Sequence, residues 1–106
     1  MYKFEDFAKL EIRIGTVVEV ERVPETDRLL KIIVDIGNEK RQVVAGFGHK
    51  HTPEDLIGKQ VICVCNFPPK KIAHFVSEVL TTGFVTEDGV VLAVPDKNVK
   101  NGLKLA

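Results

Sequence analysis

Hydrophobic residues recur at every second position along much of this chain. In the stretch IRIGTVVEVERV, one parity carries Ile12, Ile14, Thr16, Val18 and Val20. Such alternation predicts a β-strand that turns one face toward a core. Gly15 interrupts the strand and predicts a bulge or a bend within it.

The same alternation predicts further strands downstream. In LLKIIVDIG, the inward parity is Leu30, Ile32, Val34 and Ile36. The turn residues of GNEK predict a hairpin into the next strand, RQVVAGF. The strand KQVICVCNF ends at two prolines, which cannot donate to a sheet. Two more strands, SEVLTTGFVT and VVLAV, flank the tight turn EDG, so the chain holds about five short strands.

Two short segments have helical signals instead. Apolar residues in FEDFAKL are spaced for about two helical turns. In TPEDLIG, Thr52 is a good N-cap, Pro53 suits the first helical position and Gly58 favours a left-handed ending. The tail PDKNVKNGLKLA is rich in turn residues, but its apolar residues Val99, Leu103 and Leu105 require a surface to pack on.

These elements predict an all-β fold. Five strands with a helical turn between the third and fourth fit a five-stranded OB-fold Greek-key barrel, here with a short N-terminal helix and a C-terminal extension. A small sandwich is the competing architecture, but bends at Gly15 and Gly46 favour a closing barrel. With 106 residues, the chain is expected to form a single domain over residues 1–106.

Composition and charge narrow the class of protein. The chain is 44% hydrophobic and 28% charged, as in soluble proteins. No apolar run approaches the roughly 20 residues of a membrane span, and the start MYKFEDFAKL does not resemble a signal peptide, so the expected location is the cytoplasm without membrane contact. Net charge is zero, yet residues 40–80 hold six bases and three acids, while residues 1–39 hold nine acids and six bases. A local basic field could attract an anionic partner.

Catalytic and metal chemistry find little support in the sequence. The only serine, Ser77, follows His74 by three residues, but no G-x-S-x-G elbow surrounds it. Cys63 and Cys65 share one face of an apolar strand and are expected to be small core residues rather than zinc ligands or a disulfide. We therefore predict no enzyme activity, no cofactor and no metal site.

The sequence supports nucleic-acid binding better than it supports catalysis or metal binding. OB barrels bind strands across one face, with basic groups for phosphate and aromatic rings for stacking. The basic segment carries Lys70 and Lys71 directly after two prolines, on a stiff loop. Four aromatic residues lie in or just after it, and one or two exposed rings would suffice for stacking: Phe47, Phe67, Phe75 and Phe84.

The segment NFPPKKIAHFVSEVLTTGF, followed by GVVLAVPDKNVKNGLKL, resembles the CsaA group of the tRNA-binding domain family. The start FEDFAKLEIRIGTVVEVERV and the segment VPETDRLLKIIVDIG are similar to the same family, which also includes C-terminal appendages of methionyl-tRNA synthetases. Two departures from the pattern matter for binding. Ala73 stands where synthetase-type members often have Arg, and His74 replaces a common Gly.

The resemblance implies an OB-fold homodimer that binds tRNA by its structure and has no enzyme activity. An alternative is an export-related chaperone that binds unfolded polypeptides in the same groove, and a third is a module that docks on a tRNA synthetase. The residues that the resemblance and the basic segment assign to RNA binding are Arg41, Asn66, Lys70, Lys71, His74, Ser77 and Glu78. Lysines and Arg41 would contact phosphate, while Asn66, Ser77 and Glu78 would hydrogen-bond sugars or base edges.

Overall fold

The computed structural model describes residues 1–106 and contains nine strands and two short helices. The helices are α1 (Phe4–Ala8) and α2 (Pro53–Leu56). The strands are β1 (Ile12–Arg22), β2 (Leu30–Asp35), β3 (Lys40–Ala45), β4 (Gln60–Val64), β5 (Lys70–Ile72), β6 (Phe75–Ser77), β7 (Leu80–Thr81), β8 (Gly83–Thr86) and β9 (Gly89–Leu92).

Five of the strands form one antiparallel sheet in the order β3-β2-β1-β4-β7. Strand β1 is long enough to serve two partners, because its first half pairs with β4 and its second half with β2. The segment from β6 to β7 returns to β3 and nearly closes the sheet on itself. The predicted five-stranded barrel of the OB type is therefore confirmed.

The residues predicted to face inward in β2 are buried. Leu30, Ile32 and Val34 are at most 1% exposed, and they join a core cluster that includes Leu56 of α2. In β1 the predicted parity is wrong in the middle of the strand, because Val17 is 2% exposed while Val18 is only half-buried. The register between β1 and β2 shifts between Val17 and Glu19, and such an irregularity changes the face on which later residues lie. The predicted parity therefore returns at Val20, which packs against the core.

Gly15 has a different role from the predicted bulge. Its pairing with Val61 is regular, but β1 and β2 approach so closely here that an added Cβ would lie 2.2 Å from Val34 Cγ1 and 3.2 Å from the Asp35 carbonyl oxygen. Only a residue without a side chain fits this crossing of strands. The glycine therefore sets the distance between two strands.

Both predicted helices form. In α2, Thr52 Oγ1 accepts a hydrogen bond from the Asp55 N–H at 3.2 Å, and Pro53 occupies the first turn. Gly58 ends this segment with a φ of 87°, the left-handed conformation that the sequence predicts. The helical turn thus joins β3 to β4 as expected.

Two expectations about residues 66–86 are wrong. The predicted loop between the prolines and Ser77 contains a hairpin, in which β5 and β6 pair from Lys70–Ser77 to Ile72–Phe75. The predicted single strand SEVLTTGFVT is divided among β6, β7 and β8, and β8 forms a separate hairpin with β9. The division arises because β7 belongs to the barrel while β8 leaves it.

The C-terminal extension packs along the first half of β1. Backbone hydrogen bonds join Gly102 N–H to the Ile14 carbonyl and Leu105 N–H to the Ile12 carbonyl, at 2.7 and 2.8 Å. Glu11 binds both Arg13 and Lys104, and these hydrogen bonds, Arg13 first, lower the pKa of its carboxyl group. The tail is thereby fixed to the barrel at both its backbone and its side chains.

The two cysteines lie on the core side, as the alternation predicts. Cys63 is fully buried, and burial raises the pKa of its thiol to about 12. Cys65 is half-buried beside the same cluster, and the two form no disulfide. No helix in the structure has the length and apolar character needed to span a membrane.

Candidate nucleic-acid interface

The β5–β6 hairpin lies against β2 and β3, and side chains of those strands fix its position. Gln42 Nε2 of β3 donates to the Val76 carbonyl at 3.0 Å. The Lys31 ammonium of β2 sits 4.8 Å from the centre of the Phe75 ring, within range of a cation–π interaction. These contacts give the hairpin, and the lysines it carries, a defined orientation on the barrel.

Ser77 and Glu78 close the barrel through their side chains. Ser77 Oγ accepts a hydrogen bond from the Val44 N–H at 3.0 Å, and Glu78 Oε1 accepts one from the Gln42 N–H at 2.9 Å. The Glu78 N–H in turn donates to the Gln42 carbonyl at 2.8 Å. We call this set of hydrogen bonds the barrel clasp. In it, side-chain oxygens accept from backbone N–H groups of β3, as the carbonyl oxygens of a neighbouring strand would do.

Asn66 is also engaged by the protein itself. Its Oδ1 accepts a hydrogen bond from the Glu11 N–H, and its Nδ2 donates to the Lys9 carbonyl, both at 2.9 Å. The amide thus holds the end of β4 against the segment after α1. One donor and one acceptor position of the amide stay open, so the predicted contact with a sugar or base stays a prediction.

Arg41 lies apart from the hairpin, in a depression of the protein surface. We call it the polar cleft: a space of about 830 Å³ between the β2–β3 turn, the start of β1, the end of β4 and the tail. It also contains Arg13, Asn66 and Lys100. The Arg41 guanidinium binds Glu39, which raises the pKa of Arg41, and the Glu39 carboxylate offsets the positive charge that Arg41 presents to a phosphate.

A second space, the apolar cleft, lies between the edge of β3 and the hairpin. It has a volume of about 340 Å³ and occupies the gap where the barrel is not fully closed. Its walls include the apolar residues Phe67, Pro68, Ile72 and Leu80, with Lys70 beside them. Ser77, Glu78 and Thr81 also line it.

Lys70, Lys71 and His74 are all exposed on the hairpin. Neither lysine has a carboxylate within 4 Å, in contrast to Lys31 and Arg41, which are both ion-paired. His74 forms the hairpin turn together with Ala73, whose φ of 56° is left-handed and costs a residue with a Cβ about 1 kcal/mol or more. The hairpin therefore offers two free positive charges beside the apolar cleft.

The aromatic residues divide between core and surface. Phe47 is buried, and Phe75 is half-buried under Lys31. Phe67 is 45% exposed and lines the apolar cleft, whereas Phe84 is exposed on β8 and lines neither cleft. Phe67 is thus the ring best placed for stacking beside the hairpin lysines.

The structure groups the predicted site residues into two neighbouring clefts. Lys70, Ser77 and Glu78 line the apolar cleft, with Lys71 and His74 on the adjoining hairpin, while Arg41 and Asn66 line the polar cleft. Lys31 and Gln42 were not predicted, although each fixes the hairpin. Their outward position on alternating strands was readable from the sequence, but the hairpin that they contact was not. No group of three or more histidine, cysteine or acidic side chains could hold a metal ion.

We expect loss of the barrel clasp to destabilise the fold. Replacing Ser77 with alanine leaves the buried Val44 N–H without an acceptor, which costs about 1–3 kcal/mol. The midpoint of thermal unfolding of this variant should therefore lie about 4 °C or more below that of wild type. Glu78→Gln is the matched control, because glutamine keeps the acceptor oxygen for the Gln42 N–H. A Ser77→Ala midpoint equal to wild type would show that the clasp carries no stability.

A nearly closed OB barrel with unpaired lysines beside an exposed aromatic ring is the arrangement that OB-fold proteins use to bind nucleic acid. The family model described as "Putative tRNA binding domain" matches residues 12–104, and the chain belongs to this family. The resemblance drawn from the sequence is therefore confirmed.

Solved structures agree with this assignment. The crystal structure named chaperone CsaA from Bacillus anthracis str. Ames aligns with a TM-score of 0.93 and 41% identity, over 100% of this chain and 99% of that one. The CsaA chaperone protein from Picrophilus torridus aligns with a TM-score of 0.90 and 38% identity, over 100% of both chains.

A curated relative is a much longer protein. The methionine–tRNA ligase of Methanococcus aeolicus is 46% identical over 100 residues, which are 92% of this chain and 14% of the relative. The chain spans about one seventh of the length of the curated relatives that it matches. The similarity therefore concerns the binding domain and not the catalytic part of those enzymes.

Proposed function

We propose that this protein is a non-enzymatic, structure-selective tRNA-binding protein that acts as a homodimer in the cytoplasm. The observation that carries the proposal is the pair Lys70 and Lys71, free of ion pairs on a hairpin that the barrel orients, in a chain of the tRNA-binding family. Phosphates of a folded RNA would lie along the hairpin and extend toward Arg41 in the polar cleft.

Binding of tRNA should be modest in affinity and strongly dependent on salt. Lysines that neutralise phosphates release condensed counterions, and the logarithm of the binding constant then falls linearly with the logarithm of salt concentration. We expect a mobility shift of tRNA at micromolar protein in 50 mM salt and a weaker shift in 200 mM salt.

An unstructured RNA of the same length is the control for structure selectivity. Weaker binding of that RNA at equal salt supports recognition of the tRNA fold. Absence of any shift at micromolar protein in 50 mM salt would refute the proposal of tRNA binding.

The proposed dimer is supported by the exposed apolar residues of the C-terminal extension. Val99, Leu103 and Leu105 are 39–50% exposed although the backbone around them is fixed to β1. A second copy of the chain would remove them from water. Light scattering should give twice the chain mass of 11.8 kDa, and a mass near one chain would contradict the dimer.

A second candidate function is binding of unfolded, export-bound polypeptides. The apolar cleft and the name chaperone carried by two of the similar structures favour it. Suppression of aggregation of an unfolded client, unaffected by excess tRNA, would support this function over the first.

Docking on a tRNA synthetase is a third candidate partnership. Retention of a purified synthetase on immobilised protein would test it.

A further inference from the structure

The apolar cleft contains polar groups that have no partner within the protein. Thr81 is 6% exposed in the floor of the cleft, and its Oγ1 is the one buried side-chain polar atom of the chain without a hydrogen bond. The Gly46 N–H, on the β3 side of the cleft, also takes part in no hydrogen bond. A buried polar group without a partner is rare and unfavourable, so Thr81 Oγ1 points to a ligand that carries hydrogen-bonding atoms. The N–H of the half-buried Gly46 offers such a ligand a donor.

One wall of the cleft is an aromatic ring on a restrained stretch of backbone. Phe67 is 45% exposed, and the residues on either side of it are restrained. Asn66 is held by its two hydrogen bonds to the backbone, and Pro68 has a fixed φ. A ring held in this way stacks against a flat partner with little loss of conformational freedom.

The size and charge of the cleft match a single nucleotide. A volume of about 340 Å³ is at the lower end of ligand pockets, enough for one ring system. Lys70 lines the cleft with an unpaired ammonium group, which suits a neighbouring phosphate. An apolar peptide side chain would cover the ring but leave Gly46 N–H and Thr81 Oγ1 unpaired.

We propose that the apolar cleft receives one unpaired base of the bound RNA. The base stacks on Phe67, its polar edge faces Gly46 and Thr81, and its phosphate lies beside Lys70. This inference rests on the proposed binding of tRNA and adds a recognition site for a nucleotide that is not base-paired.

The first test compares Phe67→Leu with the matched variant Phe4→Leu. Phe4 is also exposed, at 74%, but it lies on α1 and lines neither cleft. Loss of one stacked base should weaken tRNA binding of Phe67→Leu by roughly 5- to 100-fold, with an unchanged salt dependence, while Phe4→Leu binds as wild type does. Equal melting temperatures of the two variants verify that both are folded.

The second test detects RNA binding in the apolar cleft of the wild-type protein. Adding a five-nucleotide single-stranded RNA should move the amide resonance of Gly46 in a nitrogen–proton correlation spectrum more than that of Gly58, which is remote from the cleft. Three results would each overturn the inference: a Phe67→Leu affinity equal to that of Phe4→Leu, an unmoved Gly46 resonance, or loss of client protection by Phe67→Leu with unchanged RNA binding. The third would assign the cleft to polypeptide. If wild-type protein binds no tRNA at all, the proposed function fails first and the inference fails with it.

Discussion

Replacing Gly15 with alanine is expected to lower the free energy of unfolding by about 3 kcal/mol, the upper part of the usual range for overpacking a core. The new Cβ would lie 2.2 Å from Val34 Cγ1, a contact that Val34 can relieve only by leaving its χ1 rotamer within a packed core. Val34 is fully buried, and the Asp35 carbonyl oxygen at 3.2 Å belongs to the backbone. Strands β1 and β2 must therefore separate, which disturbs the centre of the sheet.

Thermal unfolding followed by circular dichroism measures this effect. A loss of about 3 kcal/mol lowers the midpoint of a domain of this size by more than about 10 °C. Gly46→Ala is the matched control, since a Cβ there meets only the flexible Arg28 side chain, at 3.4 Å or more. If the two variants melt within about 2 °C of each other, the close approach of β1 to β2 is not a constraint on the fold.

The second large effect concerns the hairpin lysines. Replacing Lys70 and Lys71 together with alanine should reduce the magnitude of the salt slope of tRNA binding by about 2, one for each lost phosphate contact. If the lysines act through counterion release alone, the tRNA affinities of the variant and the wild type become equal near 1 M salt. At 50 mM salt, the variant then binds roughly 400-fold more weakly.

A double variant of equal charge controls for the change in net charge. Lys3 and Lys97 are exposed and lie outside both clefts, so Lys3→Ala with Lys97→Ala should keep the wild-type slope. Filter-binding titrations at four or five salt concentrations give the slopes. Equal slopes for the two double variants would exclude Lys70 and Lys71 from the phosphate contacts.

Asn66, Ser77 and Glu78 show why site residues are hard to assign from sequence. The sequence places amide, hydroxyl and carboxylate groups near two lysines, and the resemblance assigns them to RNA. In the structure, Asn66 joins the end of β4 to the backbone of Lys9 and Glu11, and the other two form the barrel clasp. A hydrogen bond between residues more than 30 positions apart leaves no trace in local periodicity, so a structural use and a binding use look alike in the sequence.

The amino-acid sequence alone was enough to predict the strands β2, β3 and β4, the capped helix α2 and the burial of Cys63. Each of these depends on local signals: alternation along a strand, an N-cap with proline after it, or a glycine with left-handed backbone. The folded structure was needed to find three other features: the position of the irregularity in β1, the hairpin of β5 and β6, and the division of the site residues between two clefts. Those features follow from how closed the barrel is. Closure depends on contacts between residues far apart in the sequence, such as the Ser77 hydroxyl with the Val44 N–H and the Gly15 backbone with the Val34 side chain.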